Sequence, residues 1–353
     1  MKQALEELIR ISKFAGERFD LVQAGGGNSS VKLNDGTMII KSSGVALSEV
    51  DTTKGFSLVN YKSLSQILSN DKIFNEPDKK KREFLSSSKI KEATLNEYKP
   101  SIEVLLHSIT KKYTLHTHPI SANIVLIRKD WDIILKKLFS PQTIALIPYV
   151  TPGIDLAIQL DNELKKIVET PKIIFLQNHG LLIHSDDIQE VIRLTDETVI
   201  KIEQFLGIDL SKFRATNKIS KLLGREDLVS YYSQDQIIDE ALKTKKEKFF
   251  LPPFCPDKLV YCGISAIELK SEDDLVSLEK YREKYHDDPK VIILNDGVYF
   301  VGKNLKKAKE TEEVFKFHLL VLNQVHSQPI TFLSDLELSY LSNWDSEKYR
   351  QNL

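Results

Sequence analysis

Cysteine is nearly missing: Cys255 and Cys262 are the only two in 353 residues. A disulfide scaffold is therefore not expected, and a reducing cytoplasm is the expected home. Long apolar runs are missing too. None approaches the roughly 20 residues that a membrane helix needs. The opening "MKQALEELIRISKF" mixes acids and bases through its apolar positions, so no secretory signal is expected. Neither sign of charge dominates, with 49 Lys+Arg against 50 Asp+Glu and a formal net charge of −1. There is no basic excess to hold nucleic acid and no acidic tail. Nucleotide fingerprints are also lacking. "GGGNSS" is not followed by Gly-Lys-Ser/Thr, and its position 30 is serine rather than glycine. Neither a Walker loop nor a dinucleotide loop is written here, and no nicotinamide cofactor is expected.

What is present suits a soluble globular protein, with 41% hydrophobic and 28% charged residues. The length allows one large core or two domains. Apolar spacing predicts a helix over 2–17, and "LVQAGGGNSS" (21–30) reads as a glycine-rich loop. "VKLNDGTMIIKSSG" (31–44) reads as a hairpin turning at Asn34-Asp35-Gly36. Residues 60–100 are lysine-rich and read as a surface excursion around one or two helices. "PSIEVLLHSITKK" (100–112) reads as a helix with Ile102, Leu105, Leu106 and Ile109 in its apolar stripe. "YTLHTHPISANIVL" (113–126) reads as a buried strand. "PKIIFLQNHGLLIHS" (171–185) reads as strand, tight turn, strand, followed by an amphipathic helix over 186–206. From 211 to 250 the pattern is polar and helical until "LPPFCPDK" breaks it. A boundary there gives domains at 1–215 and 245–353. "ILNDGVYFVGKNLKKA" echoes "FLQNHGLLIHSDDIQEV", with Asn178-His179-Gly180 falling on Asn295-Asp296-Gly297. The echo is either chance recurrence of a common pattern or a related fold in which the histidine has become Asp296.

The chemistry concentrates in histidines. Residues i and i+2 of a strand share a face, roughly 6–7 Å apart. His116 and His118 can therefore converge on one metal, or be two hydrogen-bonded core residues. Zinc takes nitrogen at about 2.0–2.1 Å, and catalytic sites commonly use three protein ligands. His179, in the turn after an apolar strand, is one candidate third ligand; His107 and His184 are rivals. His107 falls on the polar side of the 100–112 helix. Glu103 is the acid nearest in sequence. Spacing leaves it either a first-turn helix glutamate facing solvent or a proton-transfer group beside the metal. The loops at 25–30 and 42–44 offer Asn28, Ser29, Ser30 and a Ser-Ser-Gly turn, which are either plain turns or a phosphate cradle.

Taken in order, "GGGNSS", "KSSG", "SIEVLLH", "HTHP" and "QNHG" resemble the class II aldolase/adducin family over about residues 1–210. That family includes fuculose-1-phosphate and rhamnulose-1-phosphate aldolases, ribulose-5-phosphate 4-epimerases and methylthioribulose-1-phosphate dehydratases. "PDKLVYCG", "VIILNDGVYFVGKNLKKAKE" and "LSNWDSEKYR" are similar to the extension of bifunctional rhamnulose-1-phosphate aldolase/dehydrogenase proteins; no dehydrogenase half is expected here. The resemblance implies an α/β fold, with a central, mainly antiparallel sheet flanked by helices, and a second, smaller α/β domain. It implies His116, His118 and His179 as ligands of Zn²⁺ or another divalent metal, and Glu103 as the catalytic acid–base. It implies Asn28, Ser30, Ser43, Gly44 and Ser101 at a substrate phosphate. Ile102 departs from the pattern, since simple aldolases have a second serine there. The family's catalytic tyrosine has no assigned counterpart. The activity implied is cleavage of a ketose 1-phosphate to dihydroxyacetone phosphate and an aldehyde. Epimerisation, dehydration or decarboxylation at the same site stay open, as does an adducin-like binding role. The partners implied are a phosphorylated sugar and further copies of the chain, as a tetramer.

Overall fold

The computed structural model describes residues 1–342 apart from 168, 226, 326 and 327. His326 and most of "LSNWDSEKYR" lie outside the described residues. The chain divides into two units, 1–210 and 211–353.

The first unit runs α1 (Lys2–Gly16), β1 (Asn28–Lys32), β2 (Thr37–Lys41), β3 (Phe56–Asn60), α2 (Tyr61–Ile67), α3 (Asp71–Phe74), α4 (Lys79–Ala93) and α5 (Val104–Ser108). It continues with β4 (Tyr113–Thr117), α6 (Ile120–Leu126), α7 (Trp131–Leu138), β5 (Ile144–Ile147), α8 (Ile154–Leu164), β6 (Ile173–Leu176), β7 (Gly180–Ser185) and α9 (Ile188–Leu206). Its strands form one sheet in the order β3-β2-β1-β4-β7-β6-β5. Only the β5–β6 pair is parallel.

Successive strand side chains point to opposite faces, and both faces here are apolar. Val31, Ile39, Leu115, Phe175, Leu181 and Ile183 meet Leu8 and Ile11 of α1 and Val191, Val199 and Ile202 of α9. Met38, Ile40, Ile174, Leu176 and Leu182 meet Val104–Leu106 of α5 and Leu156, Ala157 and Leu160 of α8. Covering both faces explains why "KIIFL" and "LLI" are continuous apolar runs rather than alternating ones. Each such side chain contributes roughly 1.5–3 kcal/mol relative to exposure. The sheet is therefore fixed well enough to carry polar groups at one end.

Local structure departs from the sequence expectation in four places. β1 already begins at Asn28, so Asn28, Ser29 and Ser30 are strand rather than loop. Residues 60–100 hold three helices, not one or two. The helix expected over 100–112 is only Val104–Ser108. Its end is taken up by side chains: Ser108 Oγ donates to the Leu105 carbonyl at 2.7 Å and Thr110 Oγ1 to that of His107 at 3.0 Å, while Lys32 Nζ caps Ser108 at 3.0 Å. The expected strand over 113–126 stops at Thr117. Pro119 has no N–H for the ladder and stands at the N-cap of α6.

The second unit comprises α10 (Ser211–Leu223), β8 (Val229–Tyr232), α11 (Gln236–Thr244), α12 (Pro256–Cys262) and β9 (Ile267–Glu268). It ends with α13 (Leu275–Tyr285), β10 (Val291–Leu294), β11 (Gly297–Gly302), α14 (Leu305–Gln324) and α15 (Asp335–Ser342). Its sheet order is β8-β11-β10-β9. This unit starts at Ser211 rather than 245, because β8, in a stretch expected to be helical, pairs with β11. The echo between the units is structural in outline: β6–β7–α9 and β10–β11–α14 are both hairpins leading into a helix. The loops differ by one residue. Leu176 pairs with Gly180, whereas Leu294 pairs with Gly297. Both cysteines are free thiols. Among the described residues, no helix is long and apolar enough to cross a membrane.

One buried ion pair anchors the segment after α1. Arg18 and Asp20 are each 1% exposed, and the guanidinium grips both carboxylate oxygens at 2.6 and 3.1 Å. Arg18 also binds Asp196 of α9. The carbonyls of Asp20 and Leu21 in turn accept from the Ile120 and His118 N–H groups. Arg18→Met would strand a buried carboxylate. It is expected to cost about 3–5 kcal/mol, read as a lower urea midpoint with unchanged slope; an unmoved midpoint would contradict this account.

Candidate metal and catalytic site

Five strand ends meet at one end of the first sheet: the starts of β1 and β7 and the ends of β2, β4 and β6. His116 is the fourth residue of β4, opposite Asn28 on one side and Leu182 on the other. His118 lies just beyond the strand, its N–H donating to the Leu21 carbonyl at 2.8 Å. His179 ends the β6–β7 turn, which needs Asn178 at φ +51°. Two glycines let these segments close. A Cβ on Gly180 would stand 2.3 Å from the Thr117 carbonyl oxygen and 3.0 Å from the His118 ring. A Cβ on Gly27, at φ +69°, would stand 2.7 Å from the His116 carbonyl oxygen.

The three imidazoles converge. His116 Nε2 is 3.0 Å from His118 Nε2 and 3.3 Å from His179 Nε2. The three ligand atoms lie within 4.8 Å of one another. His116 Nδ1 donates to the Leu181 carbonyl at 3.0 Å, which leaves Nε2 bare and aimed at the centre. Burial lowers the pKa of His116 to about 3, against the pull of Glu103, so its lone pair is free. Burial also lowers that of His118. Bonds of 2.0–2.1 Å at a tetrahedral angle put two nitrogens about 3.3 Å apart. The donor set therefore fits one divalent cation.

Glu103 faces the same centre. Its Oε1 is 3.0 Å from His179 Nε2 and its Oε2 3.3 Å from His116 Nε2. Asn28 Nδ2 donates to Oε2 at 2.7 Å. Burial opposes the charge of this carboxyl. His116, His179 and the Asn28 amide nevertheless hold its pKa below the ordinary carboxylate range. Spacing left Glu103 either a first-turn helix glutamate facing solvent or a group facing the site; it stands at the N-cap of α5, facing the cluster. Residues 102 and 103 form a turn, which exchanges their expected environments: Ile102 is 58% exposed and Glu103 only 5%.

The remaining expected residues divide into two groups. Ser43 and Gly44 are exposed after β2, with Gly44 at φ +81°. Ser101 is drawn beside them, because its N–H donates to the Lys41 carbonyl and the Ser43 N–H donates to the Lys99 carbonyl. Asn28 and Ser30 are engaged otherwise. Ser30 Oγ is 2.7 Å from His107 Nδ1, and Asn28 Oδ1 meets His107 Nε2. Of the rival ligands, His107 is fully buried under β1 rather than on a polar surface. His184, also buried, pairs with Thr114 one same-face step back along β4, and its Nδ1 accepts from the Lys111 N–H at 3.4 Å. Neither joins the cluster.

Sequence reasoning missed Lys41. It is 3% exposed, and its Nζ donates to the Gly25 carbonyl at 2.9 Å. Burial lowers its pKa, and Glu103 and Glu49 oppose the shift. The signal was its place in "KSSG", between a glycine-rich loop and a serine loop, where a cation has a use that a strand-end lysine in solvent does not.

Residues 6–203 match the model of the class II aldolase and adducin N-terminal domain, and the chain belongs to that family. Among solved structures it is similar to the N-terminal class II aldolase domain of a conserved protein from Thermoplasma acidophilum, at 23% identity and TM-score 0.49, covering 57% of this chain and 93% of that one. It is also similar to an L-fuculose 1-phosphate aldolase, at 17% identity and TM-score 0.41 over 58% and 86% of the two chains. A sugar-phosphate aldolase from Thermotoga maritima is similar at 14% identity and TM-score 0.41, over 58% and 94%. Among curated proteins, none matches.

Proposed function

We propose that this protein is a metal-dependent lyase that reversibly cleaves a ketose 1-phosphate into dihydroxyacetone phosphate and an aldehyde. The observation that carries this is a buried Glu103 carboxyl touching two of three converging imidazoles. His116, His118 and His179 would hold the cation. A divalent ion there, zinc foremost, would supply the Lewis-acid neutralisation that an enediolate needs. Glu103 is the base. In the synthetic direction it takes a proton from the hydroxymethyl carbon of dihydroxyacetone phosphate, and the electron pair stays in the enediolate; in cleavage it returns that proton. Asn28 holds the carboxylate on one side. Lys41, Ser43, Gly44 and Ser101 line the neighbouring turn, where a cation and backbone N–H groups suit a phosphate. Anchoring that end would orient the bond to be broken.

The test is a panel of ketose 1-phosphates, followed by simultaneous detection of aldehyde and dihydroxyacetone phosphate, with and without chelator. Chelator-sensitive release of both products supports the proposal. Turnover without aldehyde would move it to epimerisation, dehydration or decarboxylation at the same site. No turnover of any sugar phosphate by metal-loaded protein would favour an adducin-like binding role.

The second unit, in this proposal, has no chemistry of its own. Asp296, at the position that His179 holds in the echo, sits in a left-handed turn at φ +54°. Asn tolerates that conformation. Asp296→Asn is therefore expected to leave metal content and kcat unchanged, and a fall in either in folded protein would give this unit a catalytic role.

A further inference from the structure

We propose that His107 is a positioning residue that fixes the Glu103 carboxylate through Asn28, a role that rests on the assignment of Glu103 as the base. The hydrogen-bond chain admits one arrangement. Asn28 turns its NH₂ toward Glu103, Nδ2 donating to Oε2 at 2.7 Å. The Asn28 carbonyl then faces His107 and can only accept, so His107 must donate from Nε2. A neutral ring that donates from Nε2 has a bare Nδ1. That atom accepts from the Ser30 hydroxyl at 2.7 Å.

The placement is built in. His107 lies four residues after Glu103, one helical turn along α5. Asn28 and Ser30 share a face of β1, two positions apart. The ring thus ties the acid's own helix to the strand that carries the acid's hydrogen-bond donor. His107 is fully buried, and burial lowers its pKa to about 3, so the ring is neutral under ordinary conditions. Without it, the Asn28 carbonyl loses its buried donor, and the amide that should fix the carboxylate is held by that carboxylate alone.

Two substitutions separate this role from simple packing. Gln at 107 places an amide nitrogen near the Nε2 position and can still donate to Asn28. Asn reaches only as far as Nδ1. His107→Asn is expected to lower kcat about 10–100-fold, the usual loss when a supporting hydrogen bond is removed. KM and metal content should stay as in wild type, and His107→Gln should recover most of the rate. In a cycle with Asn28→Ala, the two losses should not multiply, since both act through one amide. Equal losses in the Gln and Asn variants, an effect on KM alone, or multiplying losses would each overturn the proposal.

A measurement on the wild-type chain needs no activity and no variant. With ¹⁵N-labelled histidine, His107 should show a protonated Nε2 and a bare Nδ1 near neutral pH. The opposite tautomer would overturn the relay even if the variants fail to fold. If the wild type cleaves no sugar phosphate, the lyase assignment fails, while the labelled ring still reports on the relay by itself.

Discussion

Changing His116 and His118 together to alanine should leave a folded protein with no bound metal and no turnover. Both imidazoles point their Nε2 atoms at the centre of the cluster, so their removal leaves one ligand of three. A single imidazole does not hold a divalent ion against water. The fold should survive for identifiable reasons. His116 sits in β4, where the backbone ladder to β1 and β7 is independent of its side chain. His118 is only half-buried and is tethered through its backbone N–H, which alanine keeps. The loss of contacts around position 116 leaves a small cavity, and the Leu181 carbonyl, opposite Thr117 in the β4–β7 ladder, loses only its second donor, together about 2–5 kcal/mol, the usual range for truncating a large buried side chain to alanine. Metal per chain, measured by elemental analysis beside a circular dichroism spectrum, decides it. Full metal occupancy in a folded double variant would remove these residues from the ligand set.

Changing Glu103 to glutamine should leave the metal in place and lower kcat by about 10²–10⁴-fold, the typical contribution of a general acid–base group. Glutamine has the same shape, and its carbonyl can still accept from Asn28. What it cannot do is take up a proton from carbon. A partial reaction isolates that step. Wild-type protein should exchange the hydroxymethyl hydrogen of dihydroxyacetone phosphate with solvent deuterium without any aldehyde present, and Glu103→Gln should not. A variant with near-wild-type exchange would transfer the base to another residue. Loss of metal along with exchange would make Glu103 a ligand rather than the proton carrier.

The motifs were legible because they depend on residue type and short spacing: the H-x-H pair, the turn histidine and the acid ahead of them. Their surroundings were less so. A helical wheel over 100–112 put Ile102 inside and Glu103 at the margin, and the turn at 102–103 reverses both. The same wheel placed His107 on a polar face. The real helix is five residues long and its residues are buried on every side, so no polar face exists. His116 and His118 do converge, but not as strand neighbours. The strand stops at Thr117, and His118, beyond it, is held by its N–H to the Leu21 carbonyl. Lys41 drew no reading from sequence, because nothing local shows that a loop sixteen positions earlier folds over it. β8 was missed since its residues are mostly polar and its partner lies far along the chain. Sequence shows what each segment offers, and the non-local partner decides which offer is taken.

The Arg18 anchor sets an order for events on the ribosome. The guanidinium belongs to the segment just after the first helix, yet one of its two carboxylates, Asp196, is on the last helix of the same unit. The backbone that holds His118 hangs from the residues next to Arg18. At about 5–20 residues per second, Asp196 is added about 4–16 s after His118. During that interval the nascent chain has its H-x-H pair but only half of the clamp behind it. Capture of the ion would then be a late step in synthesis, completed once the closing helix has emerged, and a chain released before that point would carry the motif without the site.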